Sequence, residues 1–540
     1  MITDYTELRA HTCYSFSDGA ISAEGMAKHA RTLGYTHLGI TDTADLGAVA
    51  KFAVEAMSPV LDLECDDVER HEPGTPCRTC MAPVRPIIGT ELVVDGFPAA
   101  FIARTQRGYE NLAALVTLAR MGQWSEWNQK VQAKRRGRPK ISWEHVAAHS
   151  VDLHALTGPA TGELASLLRQ GKDGRHAVNR WREVFTDNRL SIEVQLHHVG
   201  GQEAALAAAL IELAEESGVP WVATQDPRYA DDAGRLVHDM LTANRYGLTL
   251  EVAAERGLLH PNGEWGLLSP KDMAKRWNGR EEGLRESVRI ARERDHFALD
   301  WMRPPMPDFR KAKLGMSDRA DDEVLRVWTQ EGMLERWGTI EHHQQKQIDH
   351  ELELIGNLGF AGFFLVMADA VRFARRQNIL CQGRGSAANS AVAFCLGITA
   401  IDPVLNGLLF ERFLSDARVN GRTEPPDIDV DFEHNRREEV LTYMYDNYHR
   451  EHAAITAVSQ CFHAPTAVQD AMRALGYPAE QIFEISKRVH GDDPSGCVAE
   501  IPMIAEARGV DISGGRWKAL EKALPGFDGL VRLRSTHVGG

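Results

Sequence analysis

The sequence predicts an α/β protein of several domains, opened by a β/α barrel-like domain whose sheet is largely parallel. Two observations carry this. Residues 1–235 alternate short apolar runs with helix-patterned stretches, the rhythm of β/α units. Its 540 residues are also too many for one core, so three or four domains are expected. A hydrophobic content of 43% and a charged content of 25% are those of an ordinary globular protein. The formal net charge of −15 gives no global attraction to nucleic acid, so binding of that kind needs a local basic channel. No apolar run approaches the ~20 residues of a membrane span. The start, "MITDYTELRAHT", has no apolar signal core, and the eight cysteines fit reduced thiols. A cytoplasmic protein without membrane partners is expected.

The strands of the first domain are read from "THLGITDT", "RPIIGTELVV", "LSIEVQL" and "PWVATQD". Asp42, Glu91 and Asp226 fall at or near the C-terminal ends of such runs, the end that carries the chemistry in β/α barrels. Residues 236–300 read as helical, and Pro304, Pro305 and Pro307 as a linker. From about 320 a second domain begins with the helical "DDEVLRVWTQEGMLERW" and "QIDHELELIGNLGF", and 437–523 is again mostly helical. Two insertions interrupt the first domain. One holds Cys65, His71, Cys77 and Cys80, which could close a Cys₃His zinc site or form a polar loop with spare thiols. The other, "AKRRGRPK", is a basic loop able to touch phosphates.

The chemistry-bearing stretch is "PPDIDVDFEHNRR". Asp427, Asp429 and Asp431 alternate with Ile428, Val430 and Phe432. On a strand this buries three apolar residues and lines up three carboxylates. Such a face requires an arginine, a lysine or a divalent cation to offset its repulsion; the bland alternative is a charged edge strand. Upstream, "ILCQGRGSAANSAVAFCLG" reads as a strand at Ile379–Cys381, a tight turn over Gly383, Arg384, Gly385 and Ser386, and a helix from Ala387 to Leu396. Glycine turn followed by helix N-terminus is a phosphate-binding arrangement; taken alone, it is equally an ordinary helix N-cap. "LLFERFLSDAR" adds Arg412 and Arg418. Phosphate amides, arginines and clustered aspartates are the parts of two-metal phosphoryl transfer.

These three motifs closely resemble bacterial C-family DNA polymerases, the DNA polymerase III alpha subunit, most like the error-prone branch. The resemblance runs from about residue 5 to Gly540. It implies a PHP-type β/α barrel over 1–235, a helical segment and linker over 236–310, the first part of a polymerase-beta-like palm over 311–458, an inserted helical thumb over 459–533 and a return to the palm over 534–540. It implies that Asp427 and Asp429 bind catalytic Mg²⁺, with Gly385 and Ser386, and beside them Arg384, Arg412 and Arg418, gripping the triphosphate. Substrates would be primer-template DNA and deoxynucleoside triphosphates. Partners would be a sliding clamp and other polymerase subunits.

The sequence departs from that pattern. Of the PHP metal ligands only His11, Asp18, Glu91 and Asp226 stand at ligand-like positions; Arg9, Thr43, Pro98, Pro159 and Arg228 replace others. Arginine cannot ligate a metal, so this barrel is expected to be a scaffold. In the thumb, Pro465 and Gln469 stand where the family tends to be basic. "LRSTHVGG" matches the point of palm re-entry, ahead of the family's third catalytic aspartate and fingers, so nucleotide binding without useful extension is expected of this chain alone. The competing expectations are a non-catalytic accessory protein binding DNA or nucleotide and, behind it, a metal-dependent PHP phosphoesterase.

Overall fold

The computed structural model describes residues 4–58, 83–121, 139–293, 306–309, 320–414, 426–449 and 452–537. The chain divides into two compact units: Met1–Leu299 with Ser459–Ser535, and Asp300–Val458 with Thr536–Gly540.

In the first unit, β1 (Glu7–Ala10), β2 (His37–Ile40), β3 (Arg85–Val94), β4 (Phe97–Ala103), β5 (Lys140–Ile141), β6 (Leu153–Leu156), β7 (Leu190–Gln195) and β8 (Trp221–Thr224) build one sheet. Its order is β1-β2-β3-β4-β6-β7-β8, with β5 beside β3. The pairs are parallel except that β4 runs antiparallel to both β3 and β6. The exception has a local cause. Asp95 and Gly96 join β3 to β4 with φ of 47° and 98°, and Asp-Gly is a two-residue hairpin signal. The sheet curls toward closure. Beyond β1, the His11 N–H donates to the Pro227 carbonyl at 3.0 Å, and Gln225 N–H donates to Glu7 Oε2 at 2.8 Å.

Helices cover the outside, as buried parallel strands require. Their limits follow ordinary capping chemistry. Asp231 accepts from the Ala233 and Gly234 amides to start Asp232–Tyr246, and Gly247, at φ 68°, ends it.

The second unit is mainly helical: Asp321–Trp337, His342–Asn357, Ala361–Arg376 and Arg437–Tyr448 surround the antiparallel pair β9 (Cys381–Arg384) and β10 (Asp429–Phe432). Its core gathers Phe364, Leu365, Val392, Phe394, Phe410, Phe413 and Ile428. Gly332 lets one helix touch another closely; a methyl there would overlap the Cys395 carbonyl.

Residues 459–535 then rejoin the first unit. The pair β11 (Ala457–Cys461) and β12 (Val531–Thr536) brackets four helices between 464 and 523. Phe462, Val468 and Phe527 share one core with Val237 and Met240. Asn244 Nδ2 also donates to the Asp470 carbonyl at 2.8 Å. Among the described residues no single helix is long and apolar enough to cross a membrane.

Candidate active site

β10 forms because its apolar residues have places to go. Ile428, just before it, is buried and Val430 packs beside the same core, while Phe432 packs on Ile379 and Val440. Asp427 and Asp431 are exposed and Asp429 is half-buried. The regular strand is shorter than the alternation suggests, starting at Asp429. Asp429 lies opposite Arg384 in the antiparallel register. Arg384 Nη1 is 3.2 Å from Asp429 Oδ2, and its Nε is 3.3 Å from Asp431 Oδ1. Among the described residues the cation paired with Asp429 and Asp431 is thus Arg384.

The turn beside them differs from the expected one in three respects. β9 is Cys381–Arg384, so Gly383 and Arg384 belong to the strand. The Gly383 N–H donates to the Ile398 carbonyl at 2.8 Å, which draws the strand further along. The turn begins at Gly385, whose φ is +72°, and a β-carbon there would sit 3.5 Å from Asp429 Oδ2. The expected helix from Ala387 to Leu396 is instead a 3₁₀ turn, Gly385–Asn389, and a short α-helix, Ala391–Cys395, because Ser390 breaks the run and caps the helix by accepting from Ala393 N–H at 3.0 Å.

The expectation that this helix offers free amides to an anion is corrected. Glu351, fully buried on His342–Asn357, accepts from Ala391 N–H at 2.9 Å, Val392 N–H at 3.0 Å and Ser390 Oγ at 2.7 Å. Gln347 donates to it as well, at 2.9 Å. Burial pushes the Glu351 carboxyl above its ordinary pKa against the pull of these bonds. The amides left for a phosphate are those opening the 3₁₀ turn, Gly385 and Ser386, which have no acceptor within the turn. Ser386 is exposed and its carbonyl accepts from Asn389 Nδ2 at 2.9 Å. Arg412 is exposed on the neighbouring turn Phe410–Arg412, which packs on Gly385–Asn389. Arg418 lies outside the described residues, as do Cys65, His71, Cys77 and Cys80.

The barrel mouth is a second constellation. Arg9, fully buried, reaches Glu91 at 2.5 Å, Glu193 at 2.8 Å and Asp226 at 3.4 Å. Arg228 bridges Asp18 at 2.6 Å and Asp226 at 2.9 Å. His11 Nε2 lies 3.0 Å from Asp226 Oδ1, and Thr43 Oγ1 donates to Glu91 at 3.1 Å. Burial alone would raise the Asp226 pKa, but Arg228, His11 and Arg9 hold it well below the carboxylate range. Glu193 keeps a raised pKa through burial, which Arg9 only partly offsets. Pro98 and Pro159 line the same cavity, of about 490 Å³, with Trp265 and His260. Burial, then His238 and Arg228, push His260 down to about 3. The four predicted residues are therefore together, but around guanidinium groups.

Two residues escaped the sequence reading. Glu193 had a signal: Ser191, Glu193 and Gln195 alternate with Ile192 and Val194 in a strand that is buried throughout. Glu351 had none, since it reads as one more charge on a helix.

Residues 323–540 match the family model described as the bacterial DNA polymerase III alpha NTPase domain, and residues 7–197 match the PHP domain. The chain carries a bacterial DNA polymerase III alpha domain and a PHP domain. It is 37% identical to an error-prone DNA polymerase of Pseudomonas fluorescens over 481 residues, 88% of this chain and 41% of that protein. The like-named protein of Dechloromonas aromatica is 34% identical over 545 residues, 100% of this chain and 47% of the relative. That of Mycobacterium bovis is 36% identical over 512 residues, 93% and 44%. The chain spans about half the length of the curated relatives it matches. Among solved structures, an amidohydrolase from Chromobacterium violaceum aligns over 42% of this chain and 87% of its own at 14% identity and a TM-score of 0.27, a likeness too weak to bear on activity. The carboxylate strand lies inside the polymerase III alpha match, and the barrel mouth lies inside the PHP match except for Asp226, Arg228, His260 and Trp265.

Proposed function

We propose that this chain is a DNA-directed DNA polymerase module of the error-prone kind, acting on primer-template DNA and deoxynucleoside triphosphates. Residues 311–458 act as the palm and 459–533 as the thumb, with 534–540 returning to the palm. Residues 236–310 link the palm to the PHP barrel of 1–235. The observation that carries this is the approach of the Gly385 turn to Asp429. A β-carbon at Gly385 would sit 3.5 Å from Asp429 Oδ2, so the opening of the 3₁₀ turn, whose first amides lack intrahelical acceptors, lies beside an aspartate carboxylate, which suits a triphosphate with a divalent cation.

The donor chemistry fits Mg²⁺. Asp427 and Asp429 offer hard, acceptor-only oxygens, and Mg²⁺ is commonly held by one or two carboxylates together with substrate phosphates. Among the described residues no group of three or more His, Cys, Asp or Glu side chains could hold a metal, so water, and the phosphates once the triphosphate is bound, would complete the shell. Bound there, the cation would supply charge neutralisation at the transferred phosphate. Gly385 and Ser386 would orient the triphosphate, and Arg412 would add a planar donor for its oxygens. Sliding-clamp and subunit partners are those the family resemblance implies.

The PHP barrel is a scaffold in this reading. A metal cluster does not fit a site where Arg9 and Arg228 already engage Asp18, Glu91, Glu193 and Asp226. The test is titration of the 540-residue chain with Mn²⁺ and a deoxynucleoside triphosphate, beside the double variant Asp427→Ala/Asp429→Ala. Loss of Mn²⁺ binding in the variant is expected. Unchanged binding would put the metal elsewhere and remove this reading.

A further inference from the structure

Arg384 hangs from the junction of the two halves of this site. It is the last residue of β9, and Gly385 turns the chain immediately after it. The register puts Asp429 directly opposite and Asp431 at the diagonal position, within reach of a long side chain. Both carboxylates are engaged, at 3.2 and 3.3 Å, by different nitrogens of one guanidinium.

We propose that Arg384 is a resident counter-cation of the metal-free site. A divalent cation at Asp429 displaces it, and the freed guanidinium then takes a phosphate of the incoming triphosphate. This rests on the reading of Asp427 and Asp429 as metal ligands given above.

Four physical points support it. A guanidinium does not lose its proton near neutral pH, so it leaves the carboxylates by exchange and not by titration. Asp429 Oδ2 lies 3.2 Å from Arg384 Nη1 and 3.5 Å from where a β-carbon at Gly385 would sit. A cation seated there meets Arg384 as a like charge. The exchange is easy, because the Arg384 side chain is 59% exposed and exposed ion pairs are weak. Once released, the fork of donors matches phosphate oxygens, and the first amides of the turn are its chain neighbours. Metal and triphosphate are thereby coupled through one side chain, and the coupling must be reciprocal. A simple nucleotide-binding arginine would leave metal affinity in the absence of nucleotide unchanged.

The test uses isothermal titration of the whole chain with Mn²⁺ alone, then with a deoxynucleoside triphosphate at zero and saturating Mn²⁺. Arg384→Gln is expected to bind Mn²⁺ roughly three- to tenfold more tightly, the range that loss of two exposed ion pairs allows. It is expected to bind triphosphate roughly tenfold more weakly with Mn²⁺ present, the scale of a charge-assisted contact, and about as well as the parent without it. Mn²⁺ affinity unchanged or weakened in Arg384→Gln, while Asp427→Ala/Asp429→Ala still abolishes binding, overturns the counter-cation role and leaves the metal site standing. Mn²⁺ binding that survives the double alanine variant removes the metal site, and this inference with it.

Discussion

Replacing Glu351 by leucine isolates what holds the turn in place. Leucine has similar bulk, so the substitution removes acceptors while opening little space. Three buried donors lose their partner: the amides of Ala391 and Val392 and the hydroxyl of Ser390. A buried donor left unsatisfied costs about 1–3 kcal/mol. The Ser390 hydroxyl can rotate toward another acceptor, so the two amides dominate, and a loss of about 4 kcal/mol is expected. At 1.4 kcal/mol per decade this is roughly a 10³-fold rise in local opening. Hydrogen exchange read by mass spectrometry over residues 385–398 measures it directly. Glu351→Gln keeps one carbonyl acceptor and should fall between the parent and Glu351→Leu. Protection in Glu351→Leu within about threefold of the parent, a small fraction of the expected loss, would refute the argument that this carboxylate anchors the turn.

Four further outcomes are expected of the same structure. Gly383→Ala should destabilise the second unit more than Gly385→Ala does, because its β-carbon would sit 2.5 Å from the Ile398 carbonyl oxygen, against 3.5 Å from a movable Asp429 oxygen at Gly385; urea denaturation ranks them. Arg9→Met should cost about 3–5 kcal/mol by leaving buried Glu91, Glu193 and Asp226 without their counter-charge, with no metal-dependent release of nucleotides from DNA before or after the change. Burial pushes the Glu7 carboxyl up to about 7. The folded state therefore holds a proton that the unfolded chain loses near its ordinary 4.5, and this contribution to stability falls as pH rises from about 4.5 to 7, by about 3 kcal/mol in all; Glu7→Gln should flatten the curve in that window. The 540-residue chain alone should bind triphosphate yet extend a primer poorly, since among the described residues no third ligating side chain joins Asp427 and Asp429; extension that Asp427→Ala/Asp429→Ala abolishes would contradict this.

The sequence made the sheet readable where strands were continuous apolar runs: β2, β3, β7 and β8 fall within the runs identified. β1, with Glu7 and Arg9 among its four residues, and β6, with His154, are not continuous apolar runs, and they were not read. β4 was missed although "VDGF" marks its hairpin, because the β/α rhythm led to a parallel expectation. The carboxylate alternation was legible because period-2 placement is a local property. Its answer was not. Arg384 lies 45 residues before Asp429, and pairing across that distance depends on register, which spacing does not fix. Glu351 illustrates the same limit. Its partners are 39 to 41 residues away, and a buried cap and a solvated glutamate look identical in a helical run.

The return of residues 459–535 to the first unit bears on how the chain is born. Asp300–Val458 is an insertion within that unit, whose core needs Phe462, Leu524 and Phe527 beside Val237 and Met240. Ser535 lies 236 residues after Leu299. At ~5–20 residues per second, a ribosome takes on the order of 10 to 50 s to cover that distance. Throughout that interval the N-terminal barrel waits with its apolar helix faces uncovered. The inserted unit has all but Thr536–Gly540 in hand by Val458 and can fold first. Synthesis therefore reverses the order that position in the chain suggests, and the early barrel is the stage at which a chaperone has most to protect.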